Sequence, residues 1–211
     1  TACTHKTNRT GESSAMKHIF IVNPAAGKSD RTAEYREMID AAFAPRGLSY
    51  ELLVSNAPGE CRTLARQAAQ SGEEVRLYAC GGDGTLNEVL NGITDFDRVR
   101  LGVIPTGSGN DFGRNLKLPK TPKESLKQIC ASIRKDQRGE ELYRIDLGQV
   151  SWEGCEKPRI FGISAGLGLD ALVCKKALHS RLKQVLNRFH LGKLTYLALT
   201  VQSLFTMETA N

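Results

Sequence analysis

Short apolar runs alternate along this chain with stretches in which apolar residues recur every three or four positions. HIFIVN (residues 18–23), YELLVS (50–55), EVRLYAC (74–80) and RLGVIP (100–105) are short apolar runs, three of them nearly continuous, bounded by Asn, Pro or Gly. That is the pattern of strands buried on both faces. Between the first two, Tyr35, Met38, Ile39, Ala42 and Phe43 stand at helical spacing. They predict a helix capped at Asp30, running through about residue 44 and stopped by Pro45 and Gly47. Leu64, Ala65, Ala68 and Ala69 mark a second helix over about 59–71, with Gly72 at its C-terminal end. A short helix ending near Gly92 follows the third strand, and another around 110–116 follows the fourth. TPKE (121–124) places Thr at a cap, Pro at the first helical position and Glu three residues after the cap. This capping box opens a helix to about Lys135.

Strands that alternate with helices at this spacing predict an α/β fold, a Rossmann-like three-layer arrangement with a parallel sheet between helices. After Gly139 the pattern changes. ELYRIDLGQV (141–150) and RIFGISAGLG (159–168) read as strands joined by a turn at Glu153–Gly154, a hairpin that opens a β-rich second domain. From Ala171 to about Phe205 the pattern is mostly helical. The expected organisation is a disordered extension over 1–15, an α/β domain over 16–139 and the start of a second domain over 140–211.

Composition narrows this little. Hydrophobic residues at 40% and charged residues at 25% are ordinary for a globular chain. No run approaches the roughly 18 apolar residues of a membrane span, and residues 1–15 lack the apolar segment of a secretory signal. The six cysteines form no CxxC pair and no metal-ligand spacing; several lie inside apolar patterns, as reduced, buried cysteines of a cytoplasmic protein would. The net charge of +6 suits a polyanionic ligand or an acidic membrane surface without requiring either.

In an open parallel sheet, ligands bind beyond the carboxyl ends of the strands, and three loops there are rich in small and polar residues. NPAAGKS (23–29) resembles a P-loop only superficially, because the glycine expected five positions before Gly27 falls at Val22; alone it reads as a strand-to-helix turn. GGDGT (81–85) is different. Its glycines let a ligand approach the backbone, and the helix that follows turns its positive end toward an anion. Asp83 stands where a carboxylate can hold a metal-bound water or a hydroxyl. In PTGSGNDFGR (105–114), Asn110 and Asp111 are candidate caps for the next helix. GLGLDA (166–171) imitates a dinucleotide fingerprint, but residues 185–195 hold none of the acidic residues that reading needs.

Together NPAAG, GGDGTLNEVLNGI and GVIPTGSGNDFGR, in this order and spacing, resemble the diacylglycerol kinase family, in particular its bacterial soluble lipid kinases. FGISAGLGLDA resembles that family's entry into its second domain, so the likeness extends from Met16 to the end. NAD kinases, sphingosine kinases and phosphofructokinases share the GGDG-type core but not the partner loop. The resemblance implies that Asn23, Pro24, Ala25, Ala26 and Gly27 contact ATP, as do Gly82, Asp83, Gly84, Thr85, Leu86, Asn87 and Glu88, the second group holding the phosphates. Ser55 and Ser108 stand where the family has threonines; both keep the hydroxyl. The implied reaction is transfer of the γ-phosphoryl group of ATP, with Mg²⁺, to the hydroxyl of diacylglycerol or a related lipid, which needs positioning and charge neutralisation more than covalent chemistry. Asp83 would be the catalytic residue, organising Mg²⁺ or helping to deprotonate the acceptor.

The family continues into a β-rich domain that supplies a general base and structural metal ligands, and this chain ends before it. The expectation is therefore a fragment with the base outside it. The implied partners are a lipid alcohol and, peripherally, the anionic inner face of a membrane; no nucleic acid is expected, and a homodimer is left open. The membrane reading draws on Lys175, Lys176, Arg181, Lys183, Arg188 and Lys193, with no acidic residue between Ala171 and Met207. The alternatives are a kinase of a sphingoid base or of NAD, and a nucleotide-binding fragment without turnover.

Overall fold

A computed structural model of the chain describes residues 16–26, 29–70, 72–107 and 109–179. The chain divides into two compact units, residues 1–163 and 164–211. In the first, β1 (Lys17–Val22), β2 (Glu51–Val54), β3 (Val75–Gly81) and β4 (Val99–Pro105) form a parallel sheet in the order β2-β1-β3-β4. The helices between them are α1 (Thr32–Phe43), α2 (Glu60–Ala69) and α3 (Asp83–Leu90); α4 (Asp111–Asn115) and α5 (Pro122–Gln137) follow β4. The two-residue period of the strands divides their side chains between two cores. Ile19, Ile21, Leu77 and Ala79 face α2 and α3 among Cys61, Ala65, Leu86 and Val89. Phe20, Val22, Tyr78 and Cys80 face α1 and α5 among Ile39, Phe43, Leu126 and Ile129. The expected three-layer α/β fold is present, with β3 buried at every position.

The local signals hold with small shifts. Gly47 takes the left-handed φ of +63° that ends the turn after α1, and the Thr121 hydroxyl accepts from the Glu124 N–H at 3.3 Å at the start of α5. Asp30 accepts from the N–H and hydroxyl of Thr32 at 2.8 and 2.6 Å, but α1 itself starts at Thr32 with no side-chain cap. The hairpin is shorter than expected, since β5 (Gly148–Val150) and β6 (Arg159–Phe161) pair antiparallel over three residues each. Cys61, Cys80 and Cys130 are buried, as expected of apolar positions, whereas Cys174 is exposed.

In the second unit α6 (Leu169–His179) packs Leu169 against Val173. The expected extension over 1–15 and the helical tail beyond residue 179, with Arg181, Lys183, Arg188 and Lys193, lie outside the described residues.

At the amino ends of the strands lies a cleft of about 610 Å³ whose walls include Lys17, His18, Arg76, Arg100 and Asp136. Arg76, with its side chain 6% exposed, is ion-paired with Asp136, and Arg100 reaches Asp136 at 3.9 Å and Glu74 at 3.5 Å. His18 is buried beside them, 2.8 Å from the Tyr78 hydroxyl. Burial and, second, the Arg76 charge pull its pKa down to about 4, so it is neutral near pH 7.

Candidate functional site

The three small-residue loops meet at the carboxyl ends of β1, β3 and β4. The Asn23 side chain spans the first two: Oδ1 accepts from the Ala25 N–H at 3.0 Å, and Nδ2 donates to the Thr85 hydroxyl at 3.1 Å. Pro24 and Ala26 complete this turn, with the Ala26 N–H on the Asn23 carbonyl at 3.1 Å. Gly27 lies outside the described residues, as does Ser108.

The second and third loops are joined through backbone. Thr106 N–H donates to the Gly81 carbonyl at 2.9 Å, and Gly82 and Gly107 face each other so closely that a Cβ on Gly107 would sit 2.5 Å from the Gly82 Cα. A Cβ on Gly81 would fall 2.3 Å from the Thr85 hydroxyl oxygen. Both glycines of the GG pair therefore have a packing reason for lacking a side chain. Gly84 has none among the described residues: it lies in the first turn of α3, is exposed, and none of them stands within 4 Å of where its Cβ would be.

Asp83 performs a task that its local sequence does not show. Its Oδ2 accepts from the Asp111 N–H at 3.0 Å and its Oδ1 from the Phe112 N–H at 3.2 Å. The carboxylate of one loop thus caps the helix that starts in the next. This corrects the expectation that Asn110 and Asp111 cap α4 with their own side chains. Asn110 sits at the cap position with φ 51° and ψ 46°, makes no cap bond, and donates to the Gly107 carbonyl at 2.7 Å. In that left-handed conformation its side chain turns back along the loop, and its Oδ1 is buried with no partner among the described residues. The Asp111 carboxylate is paired with Arg114. The position of a Cβ on Gly109 would be 3.0 Å from Asp83 Oδ2 and 3.9 Å from Asp111 Oδ2, so the two carboxylates flank that glycine.

The start of α3, in contrast, carries no side-chain cap among the described residues. The Leu86 N–H is the first in the helix to reach a carbonyl, that of Gly82 at 3.1 Å; the amides of Asp83, Gly84 and Thr85 precede it and lack an intrahelical acceptor. Leu86 itself points into the core. Asn87 is exposed one turn after Gly84, while Glu88 turns to the loop before α2 and accepts from the Gly59 N–H at 3.0 Å. Ser55 is buried at the end of β2; its hydroxyl lies beside the Cys61 thiol, whose pKa burial pushes up.

Sequence reasoning missed Asn91. Its amide Nδ2 donates to the Ile160 carbonyl at 2.8 Å and its Oδ1 accepts from the Ile160 N–H at 2.9 Å, so it joins the end of α3 to the hairpin. The only signal was a polar residue directly after the apolar Val89–Leu90 pair. Among the described residues no group of three or more His, Cys, Asp or Glu could hold a metal ion, and no helix is long and apolar enough to cross a membrane.

A family model described as the diacylglycerol kinase catalytic domain matches residues 17–139. The chain belongs to this family. Among curated proteins it is similar to the "Putative lipid kinase YtlR" of Bacillus subtilis (strain 168), with 32% identity over 186 residues that cover 86% of this chain and 57% of that protein. It is also similar to a diacylglycerol kinase of Staphylococcus aureus (strain MRSA252), with 42% identity over 103 residues, 47% of this chain and 31% of that one. A crystal structure of a diacylglycerol kinase from Bacillus anthracis str. Sterne aligns at 28% identity with a TM-score of 0.47, covering 58% of this chain and 41% of that chain. The chain thus spans 57% and 31% of the lengths of the two curated relatives.

Proposed function

We propose that this diacylglycerol kinase family member binds ATP with the phosphates against the start of α3, and serves transfer of the γ-phosphoryl group to the hydroxyl of diacylglycerol or a related lipid. The observation that carries this reading is Gly84. A glycine inside a helix costs about 1 kcal/mol relative to alanine; Gly81 ends β3 and Gly82 precedes α3, and close neighbours account for both, whereas Gly84 lies inside α3. At Gly84 no neighbour among the described residues does. What the missing side chain leaves open is access from solvent to the uncapped amides of the first turn, the geometry that receives a phosphate.

The proposed nucleotide-binding domain is residues 16–139, with 140–211 as the start of a second domain. Asn23 holds the first loop against Thr85, and Asp83 holds the third against the second, so the three loops act as one preorganised frame. Asp83 and Asp111 bring two carboxylates to the same place, and Arg114 pairs with that of Asp111. Two carboxylates beside a phosphate site fit Mg²⁺, which is held by one or two carboxylates plus substrate phosphates rather than by an all-protein cage. Bound there, Mg²⁺ would neutralise charge on the phosphates; Asp83 and Asp111 would hold it.

The test is label transfer from ATP to a panel of lipid alcohols, sphingoid bases and NAD by the protein, with ATP binding measured by calorimetry. Labelled diacylglycerol is the expected result. Label on NAD or a sphingoid base alone would overturn the acceptor, and absence of ATP binding would overturn the site.

A further inference from the structure

Asn91 takes no part in the frame just described, yet it makes four hydrogen bonds. Two run to Ile160 of β6. The other two share the remaining Nδ2 hydrogen, which reaches the Asn87 carbonyl at 2.8 Å and Asn87 Oδ1 at 3.2 Å. In an antiparallel pair, the N–H and C=O of one residue point to the same side, and residues alternate between facing the partner strand and facing away. Ile160, opposite Gln149 of β5, directs both groups to Asn91. The amide side chain therefore stands in for a neighbouring strand along the free edge of β6, an edge that would otherwise be unpaired. Only an amide of this length offers a donor and an acceptor with the spacing of a peptide group.

A second contact secures the same segment. A Cβ on Gly162, just past β6, would lie 3.1 Å from Phe112 Cε2 and 3.3 Å from Leu90 Cδ1. The end of the hairpin thus rests on α3 and α4 together. Those are the two helices whose starts meet at Asp83, and the Phe112 N–H is one of the two amides that Asp83 holds.

We propose that Asn91 is a positioning residue that couples the β5–β6 hairpin to the phosphate face of α3, through Asn87 on that face and through the helix pair that Asp83 joins. The inference rests on the reading of the α3 start as the ATP site. It assigns the hairpin a role: displacement of β6 is transmitted to the exposed Gly84–Asn87 face, and a nucleotide bound there restrains β6 in return.

Amide exchange and amide chemical shifts of the full chain, with and without a non-hydrolysable ATP analogue, test this. In the wild type, the analogue should shift the Gly84 amide and slow exchange of the Ile160 amide several-fold. Without nucleotide, Asn91→Ala should speed Ile160 exchange roughly tenfold, the scale of a lost buried hydrogen bond, and should move the Gly84 and Asn87 resonances. A merely structural role would lower stability without moving those two. Gln149→Ala, on the other strand of the hairpin, should leave them in place. Asn91→Asp, which keeps the bond from the Ile160 N–H and loses the donors, should give a smaller shift of the same kind and serves if the alanine variant unfolds. Analogue binding at Gly84 with Ile160 exchange unchanged would overturn the coupling and leave the ATP site standing. No shift at Gly84 would overturn the ATP site itself, whereas the Asn91 variants test the fastening of β6 without nucleotide.

Discussion

At the amino ends of β1, β3 and β4, charge meets charge: Arg76 with Asp136, Arg100 with Asp136 and Glu74, Lys17 with Glu73 at 2.7 Å. At the carboxyl ends of the same strands, the Asp83 carboxylate meets backbone amides, a buried Asn110 oxygen has no partner among the described residues, and no described residue stands within 4 Å of where a Gly84 Cβ would be. The amino end has the 610 Å³ cleft and a buried ion, yet its charges are already neutralised by one another. Cavity size and polarity therefore do not separate a binding end from a structural end. Hydrogen-bonding capacity left over after folding does.

The strongest challenge to this contrast is Asp136→Ala. It strands the Arg76 charge in the sheet and should cost about 3–5 kcal/mol of stability in urea unfolding, while Arg76→Met combined with Asp136→Leu should recover most of it. ATP affinity of the folded protein should be unchanged in both. Weaker ATP binding at full stability would show that the amino end is also part of the site.

Asp83→Asn probes the other end with the reverse pattern. Its new amide donor would face the Asp111 N–H, so α4 loses a cap worth about 1 kcal/mol, and label transfer from ATP should fall roughly a hundredfold or more. Near-normal label transfer would remove Asp83 from the chemistry and leave it a latch.

Gly84→Ala separates stability from binding at a single position. Its helical backbone and open surroundings accept a methyl group, so the fold should gain about 0.4–1 kcal/mol. ATP affinity should fall roughly tenfold, the cost of crowding a close approach. A stabilised variant with unchanged calorimetric affinity would reject the phosphate site.

The smallest effect belongs to pH. His18 has a folded pKa lowered from 6.5 to about 4, so the unfolded chain binds a proton that the folded one refuses. Stability is complete above about pH 6.5 and declines as pH falls toward 4. From pH 7 to 6 the loss should be under about 1 kcal/mol, and His18→Gln should remove that slope while leaving ATP binding alone.

Much of this was legible beforehand. The four strands, the capping box at Thr121 and the three loops at the strand ends came from apolar periodicity and turn residues alone. The motifs that resemble the diacylglycerol kinase family led to the family that the match over residues 17–139 shows. The cap of α4 was misread because Asn110 and Asp111 are good capping residues locally, while the group that caps the helix is 28 residues away. The resemblance places Leu86 among the ATP contacts as part of the motif, and what the structure adds is that its side chain faces the core. Asn91 had no assigned role, since its partner Ile160 lies 69 residues further along.

By itself the sequence determined which segments become strands and helices, their order, and where the small residues fall, because these depend on neighbours within one or two turns. Tertiary structure decided which of those small residues are needed for packing and which leave the backbone open. Gly82 meets Gly107 only when two strands stand side by side, and the Asp83 carboxylate finds the amides of α4 only when two loops are brought together. Hydrogen bonds and close contacts between distant residues follow from spatial approach, and a glycine with nothing beside it can be recognised only once everything else is in place.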